Sequence, residues 1–356
     1  MDIPEYSKIS TTKLAQVFNN TSATYKFYWF ISILEIFAKR QEKQISFNEI
    51  LTRMIASAWY PIHYFKLSFG FQDKLCDNII AIQQLTQIPI DEHKDVIQHK
   101  LLTSNDPVVW NLINNFSLNV PYRFLSPWIP FVSNNDLVSK SQQLEDDCPY
   151  SIQLTPTKSI VINEKWTDYL IDNYRLLIDY CYWNLTLYLQ TKNPNVPDIA
   201  NKLIKPITRN SLSTQRAYWN IVFEECKTIK CIYTGAELTK NSFDLDHFIP
   251  WSFVAHDLQW NLLPSEKINN ISKGNKLPSI DRYLQNLVAL EKKGIEVVYK
   301  KQPNHKRLED FLIFGCNTSE LICMETSIFQ SMYRKTLSPM LQIAENMGFE
   351  KWKPNE

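Results

Sequence analysis

The sequence predicts a mainly α chain of the α+β class: a helical N-terminal domain, then a small module of paired strands and one helix, set among further helices. Three observations predict it. The stretch SATYKFYWFISILEIFAKR places Phe27, Phe30, Leu34 and Phe37 at three- and four-residue spacing, the pattern of a helix that buries one face. Phe243, Leu245 and Phe248 alternate with Asp244 and Asp246, the pattern of a strand. Short breaks at Pro61, Pro89 and Asp106-Pro107 separate the apolar runs of the first half, as in closely connected helices.

In chain order, STTKLAQVF reads as a short capped helix. The Phe27–Phe37 helix carries Tyr25, Trp29 and Ile33 on its other side, so it is expected to be covered on most sides. Helices follow at Asn48–Trp59, Lys74–Ile88, Asp91–Leu102 and Pro107–Phe116. VPYRFLSPWIP is a connector, LEDDCP a surface turn, and SIQLTPTKSIVINE two short strands about a turn. A long helix is expected over Glu164–Leu189, ending before Asn193-Pro194. The two prolines of KNPNVPD suit a linker, so the expected domains are 1–195, 196–310 and a helical tail, 311–356. Beyond the linker, a helix over Arg209–Glu225 leads to a hairpin strand at Ile229–Tyr233. Ser279–Glu291 is expected to be helical, IEVVY a strand, and Arg307–Phe314 and Ser319–Met347 helices. Whether the tail packs on the module or on the N-terminal domain is open at this stage.

A chain of 356 residues, 44% hydrophobic and 13% aromatic, has ample material for folded cores. Six glycines and no glycine-rich phosphate loop argue against a large nucleotide-binding architecture. MDIPEYSKIS lacks the basic start and apolar run of a signal peptide, and no window is long and apolar enough to span a membrane. Seven irregularly placed cysteines fit reduced thiols, so a cytoplasmic location is expected. Net charge is only +1, but residues 1–200 carry 17 Lys and Arg against 20 Asp and Glu, and 202–307 carry 17 against 10. The basic excess falls where a phosphate backbone would be tracked.

The chemistry-bearing stretch is CIYTGAELTKNSFDLDHFIPWSFVAHDLQWNLLPSEKINNISKGNKLP, residues 231–278. Cleaving a phosphodiester needs a base for water and a hard cation for the phosphate. His247 is the candidate base, since an imidazole takes a proton near neutrality. Asp246 offers a carboxylate and Asn270 an amide oxygen, ligands that suit Mg²⁺ or Mn²⁺, which keep several waters besides. Pro250 should end the strand and open a loop as far as Leu258. Ser265 is the expected N-cap of a helix, Glu266–Ser272, closed near Gly274 and carrying Asn270 back toward the strand. Asp244 would share a face with Asp246, as a carboxylate steering a metal-held water or as an exposed strand residue. Asn269 is the alternative ligand to Asn270. Lys273, Lys276 and Arg216 are the candidate nucleic-acid contacts. His256 reads as polar surface, and Trp251 and Trp260 as packing for the loop.

These residues resemble the HNH endonuclease family, whose fold is the ββα-metal module. The resemblance rests on DLDHFIP, WNLLP and NNISKGNKLP in that order. It implies His247 as the base that activates water, Asn261 as the residue that braces the hairpin loop, and Asp246 and Asn270 as the metal ligands. The spacing is similar to that of the HNH domain of RNA-guided CRISPR nucleases. Family members with a structural zinc carry paired Cys-x-x-Cys motifs, whereas Cys231 is followed here by Thr234 and Asn269 stands at another such position, so no structural zinc is expected. SATYKFYWFISILE, FKLSFGFQDKL and VPYRFLSPW also resemble a region of bacterial proteins that end in an HNH module; no activity attaches to it. What the resemblance implies is a Mg²⁺-dependent endonuclease acting on DNA, with RNA an open second substrate, and with room for an activating partner protein or ligand in an anti-phage or restriction system. The rival expectations are a nicking or homing-type enzyme of a mobile element and a non-catalytic nucleic-acid-binding regulator.

Overall fold

The computed structural model describes residues 3–130, 133–206 and 209–354. It is mainly α-helical, and its strands form three small sheets among the described residues. Among them no helix is long and apolar enough to cross a membrane. The chain divides into two compact units, Met1–Pro194 with Ile199–Lys205, and Asn195–Asp198 with Pro206–Glu356.

The first unit is built on the Tyr25–Arg40 helix, buried almost all round from Phe27 to Leu34. Against it packs the Phe47–His63 helix, which starts in a capping box: Ser46 accepts from the Glu49 N–H while Glu49 accepts from the Ser46 N–H. Such a cap contributes about 1 kcal/mol. The three-stranded sheet runs in the order β1 (Gln44–Ser46), β3 (Ser159–Ile162), β2 (Tyr150–Gln153), all antiparallel. The helices at Lys74–Thr86, Lys94–Leu102 and Pro107–Asn114 agree closely with expectation. The long helix expected over Glu164–Leu189 is two, Glu164–Asp172 and Tyr174–Lys192. Asn173 interrupts it by donating its side-chain amide to the Tyr169 carbonyl at 3.0 Å, a local bond that competes with the helical ladder. At the end of the Phe47–His63 helix, His63 lies edge-on to Trp59, 4.5 Å between ring centres. Burial pushes its pKa down to about 4.

The second unit has one core, contributed by residues from Tyr218 to Trp352. Its helices are Ser213–Cys226, Ile280–Lys301 and Thr326–Asn346, and the last packs along Ile280–Lys301. The tail thus belongs to this unit. IEVVY, expected as a strand, lies inside Ile280–Lys301. Ser279 caps that helix, and Leu284, Leu287, Val288, Ile295 and Val298 form its buried stripe, so tertiary packing overrides the local preference of β-branched residues. Gly294 is required there, because a Cβ would meet the Tyr218 Oη at 3.0 Å and the Trp219 ring at 3.3 Å. Glu291, on the same helix, is wholly buried with neither carboxylate oxygen hydrogen-bonded, and burial raises its pKa well above the usual range. Beyond the last helix the chain returns to the module. Leu277 and Glu350–Trp352 exchange backbone hydrogen bonds of 2.8 and 2.7 Å, and the Trp352 indole stands edge-on to Tyr233 at 5.0 Å.

Candidate active site

The site lies on two strands and one short helix. β4 (Thr228–Lys230) pairs with β5 (Glu237–Thr239) as a separate hairpin. β6 (Asp244–His247) pairs antiparallel with β7 (Leu262–Ser265), in the register Asp246 opposite Leu263 and His247 opposite Leu262. The sequence pattern missed β7, because LLPS has no alternation and Pro264 reads as a breaker. Ser265, expected as a helix cap, is the last residue of that strand. Glu266 takes the N-cap position without a side-chain bond, and the helix is Lys267–Lys273, closed by Gly274 at φ +46°.

Between β6 and β7 the loop folds over a single helical turn, Trp251–Val254, and reverses at Ala255 in the left-handed region. Asn261 fixes its near end. Wholly buried, it accepts from the Ile249 N–H at 2.8 Å and donates to the Ile249 carbonyl at 2.9 Å, a double bond to one peptide that holds the turn after His247 in place. Gln259 fixes the far end through its N–H, which donates to Asp310 at 2.9 Å.

The reversal brings Asp257 to His247. Asp257 Oδ1 is 2.8 Å from His247 Nε2, with side chains only 18% and 9% exposed. Asp257 is itself held, its carbonyl by the Gln215 amide at 2.8 Å and its carboxylate by Arg209 at 3.8 Å. A carboxylate on Nε2 places the ring proton there and leaves Nδ1 with its lone pair. Burial lowers the His247 pKa, and the hydrogen bond and charge of Asp257 raise it only part of the way back. The ring is therefore neutral near pH 7 and can accept a proton. No role for Asp257 was readable in the sequence: it comes ten residues after His247, and the Ala255 reversal alone brings the two together.

Asp246 is 3% exposed and both its oxygens are engaged. Tyr233 Oη donates to Oδ2 at 2.6 Å, and Lys273 Nζ donates to Oδ1 at 2.9 Å. The same ammonium donates to the His247 carbonyl at 2.6 Å. Burial, with the Asp246 charge adding to it, raises the Tyr233 pKa well above its usual value, so the phenol stays protonated as the donor. Lys273 is thus turned inward, with its side chain wholly inaccessible, and not toward the outside where a nucleic-acid contact would reach it. Asn270 donates to the Leu245 carbonyl at 3.3 Å, which sets its amide beside the residue preceding Asp246. Asn269 instead donates to Glu266 at 2.9 Å, away from that strand.

Arg216 bonds the Phe243 carbonyl at 3.1 Å, lies over the Phe243 ring and comes to 4.0 Å from Asp244. Lys276 is exposed. Cys231 is buried, and Thr234 donates to Glu266 at 2.5 Å. Among the described residues no three His, Cys, Asp or Glu side chains form a metal-holding group. One carboxylate and one amide oxygen remain. That sparse hard-oxygen set fits a cation that keeps most of its shell as water or phosphate oxygen, provided it shares Asp246 with Lys273.

Residues 231–279 match a family described as HNH endonuclease. Comparison with curated proteins and with solved structures finds no match. The family match covers the two strands, the loop and the helix just described, and it identifies the chain as an HNH-family protein whose nuclease module lies at residues 231–279.

Proposed function

We propose that this protein is a metal-dependent HNH endonuclease that hydrolyses DNA phosphodiester bonds, serving as the nuclease of a bacterial anti-phage or restriction system. The observation that carries the catalytic part is the His247–Asp257 pair. It is a buried neutral imidazole with one nitrogen tied to a carboxylate at 2.8 Å and the other left to take a proton from water. Asn261 keeps the backbone after His247 from moving, so the base is held before substrate arrives. Asp246 and Asn270 would hold Mg²⁺ or Mn²⁺, which when bound offsets charge on the phosphate and on the departing oxygen. Lys273 supplies a fixed positive charge beneath the same carboxylate. By the family resemblance the product ends carry 5′ phosphate. Arg216 and Lys276, at the edge of the module, are proposed to contact the phosphate backbone, while the first unit senses or restrains.

The test is incubation of the purified protein with supercoiled plasmid and Mg²⁺ or Mn²⁺, with His247→Ala as control. Nicking or linearisation that needs the cation and vanishes in the variant is the expected result. Cleavage retained by a folded His247→Ala protein would remove the assignment of the base. Inertness of the wild type with every cation and substrate would favour the non-catalytic regulator.

A further inference from the structure

The first unit contains a cavity of about 920 Å³, walled by the turn before the Tyr25–Arg40 helix, the start of the Lys74–Thr86 helix and residues of the segment 115–126. That volume is in the range of small-ligand sites. Its charge runs against its surroundings. Residues 1–200 have more acidic than basic side chains, 20 against 17, yet the wall holds Lys26, Lys74 and Arg123 against the one carboxylate of Asp77. Asp77 is engaged by Lys74 at 3.1 Å. Lys26 donates to the Val17 carbonyl at 3.1 Å, an oxygen that carries no net charge. Burial and then the positive charge of Arg123 lower the Lys26 pKa, and no carboxylate acts to raise it. Two cations facing one half-buried wall repel each other, and an anion between them would relieve that cost.

The same cavity has features that suit a planar ring. Tyr25 and Phe116 line it with ring centres 6.0 Å apart, and Asn20, Asn78, Asn115 and Asn119 add amide donors and acceptors. Phe71, next in sequence to the lining Gln72, is 96% exposed, with Lys74 Nζ 5.8 Å from its ring centre. An aromatic ring left in water beside a cation is a stacking platform in search of a partner.

We propose that this cavity binds a free nucleotide, with its phosphates between Lys26 and Arg123 and its base stacked on Phe71. The two cations give charge-assisted hydrogen bonds to phosphate oxygens, and the asparagine amides match the donor and acceptor edges of a base. His247 and Asp246 belong to the other unit, so the inference stands whether or not the nuclease reading does.

Calorimetry on the full chain tests it, with the four ribonucleoside triphosphates, sodium triphosphate and a 5′-phosphorylated oligonucleotide as separate probes. At least one nucleoside triphosphate is expected to bind more tightly than triphosphate alone. Lys26→Gln combined with Arg123→Gln should weaken that binding roughly tenfold or more, the loss of one charge-assisted bond at the least. Phe71→Ala removes a side chain that lies in solvent and so should not disturb folding. It should weaken nucleotide binding several-fold and leave triphosphate unchanged, and it decides the matter if the double variant fails to fold. Four outcomes overturn the proposal: no binding of any nucleoside triphosphate by folded protein, triphosphate as tight as the nucleotides, binding of the oligonucleotide alone, or nucleotide affinity unchanged by these substitutions.

Discussion

Replacing Asp257 with asparagine keeps the side chain's size and removes its charge. The bond at stake is the 2.8 Å contact to His247 Nε2, in a pair with 9% and 18% side-chain exposure. A hydrogen bond to a charged group contributes about 1.5–3 kcal/mol. Arg209, 3.8 Å from the same carboxylate, already draws on its charge, so the lower part of that range applies, about 1.5–2 kcal/mol. If the bond is worth this much to the orientation and protonation of the base, the cleavage rate should fall roughly ten- to thirtyfold. That is a smaller loss than the approximately 10²–10⁴-fold expected for removing the imidazole itself. A second consequence follows in pH. Asp257 raises the His247 pKa against the pull of burial; without its charge the pKa drops further, and the acid limb of the rate profile moves to lower pH. Single-turnover cleavage of a labelled duplex with Mn²⁺ across the histidine range measures both, and ¹⁵N shifts of the ring report whether Nε2 carries the proton. A variant that cuts at the wild-type rate with an unmoved acid limb, or a wild-type ring protonated at Nδ1, would refute the assignment.

Further predictions concern the buried charges. Lys273→Met strands the Asp246 carboxylate with Tyr233 alone, and breaking such a pair from one side should cost about 3–5 kcal/mol of stability; added Mn²⁺ should then raise the variant's melting temperature by more than the wild type's. Glu291→Gln removes a carboxyl that has no partner and must stay protonated to remain buried, so the variant should be more stable than wild type above pH 7 in urea unfolding, with the difference shrinking toward pH 4 as the native glutamate is protonated in both states. His63, held at about 4 in the fold against about 6.5 unfolded, makes the first unit lose stability as pH falls from the upper value toward the lower, because only the unfolded chain binds the proton there. The loss should reach up to about 3 kcal/mol and should be absent from His63→Gln.

The architecture was legible where one periodicity ran long enough. The Tyr25–Arg40 helix, the four helices after it and the Tyr150–Ile162 hairpin follow from spacing and breakers. It was not legible where packing decides. β7 has no alternation, and IEVVY is helical because its neighbours on both sides already commit the face it sits on. At the site, the order of Asp246, His247, Asn261 and Asn270 along the chain pointed to the module, and the position of Asn261 against Ile249 is one that a bracing residue would take. The partners of those residues could not be read. Asp257 reaches His247 through a loop reversal, Tyr233 reaches Asp246 across two hairpins, and an inward lysine looks the same in sequence as an outward one.

The return of the chain to its own module separates two kinds of unit that are easily taken as one. What is recognisable as a nuclease ends at residue 279, but Trp352 packs on Tyr233, whose hydroxyl holds Asp246, and the indole nitrogen donates to Ser272 on the helix of Asn270 at 3.3 Å. Asp310 meanwhile tethers the loop that carries Asp257. The recognisable segment is therefore not a transplantable one. Grafted elsewhere without 280–352, it would keep every residue of the motif and lose the walls that aim them, and a modification near Trp352 would act on the carboxylate of Asp246 through a single intervening ring.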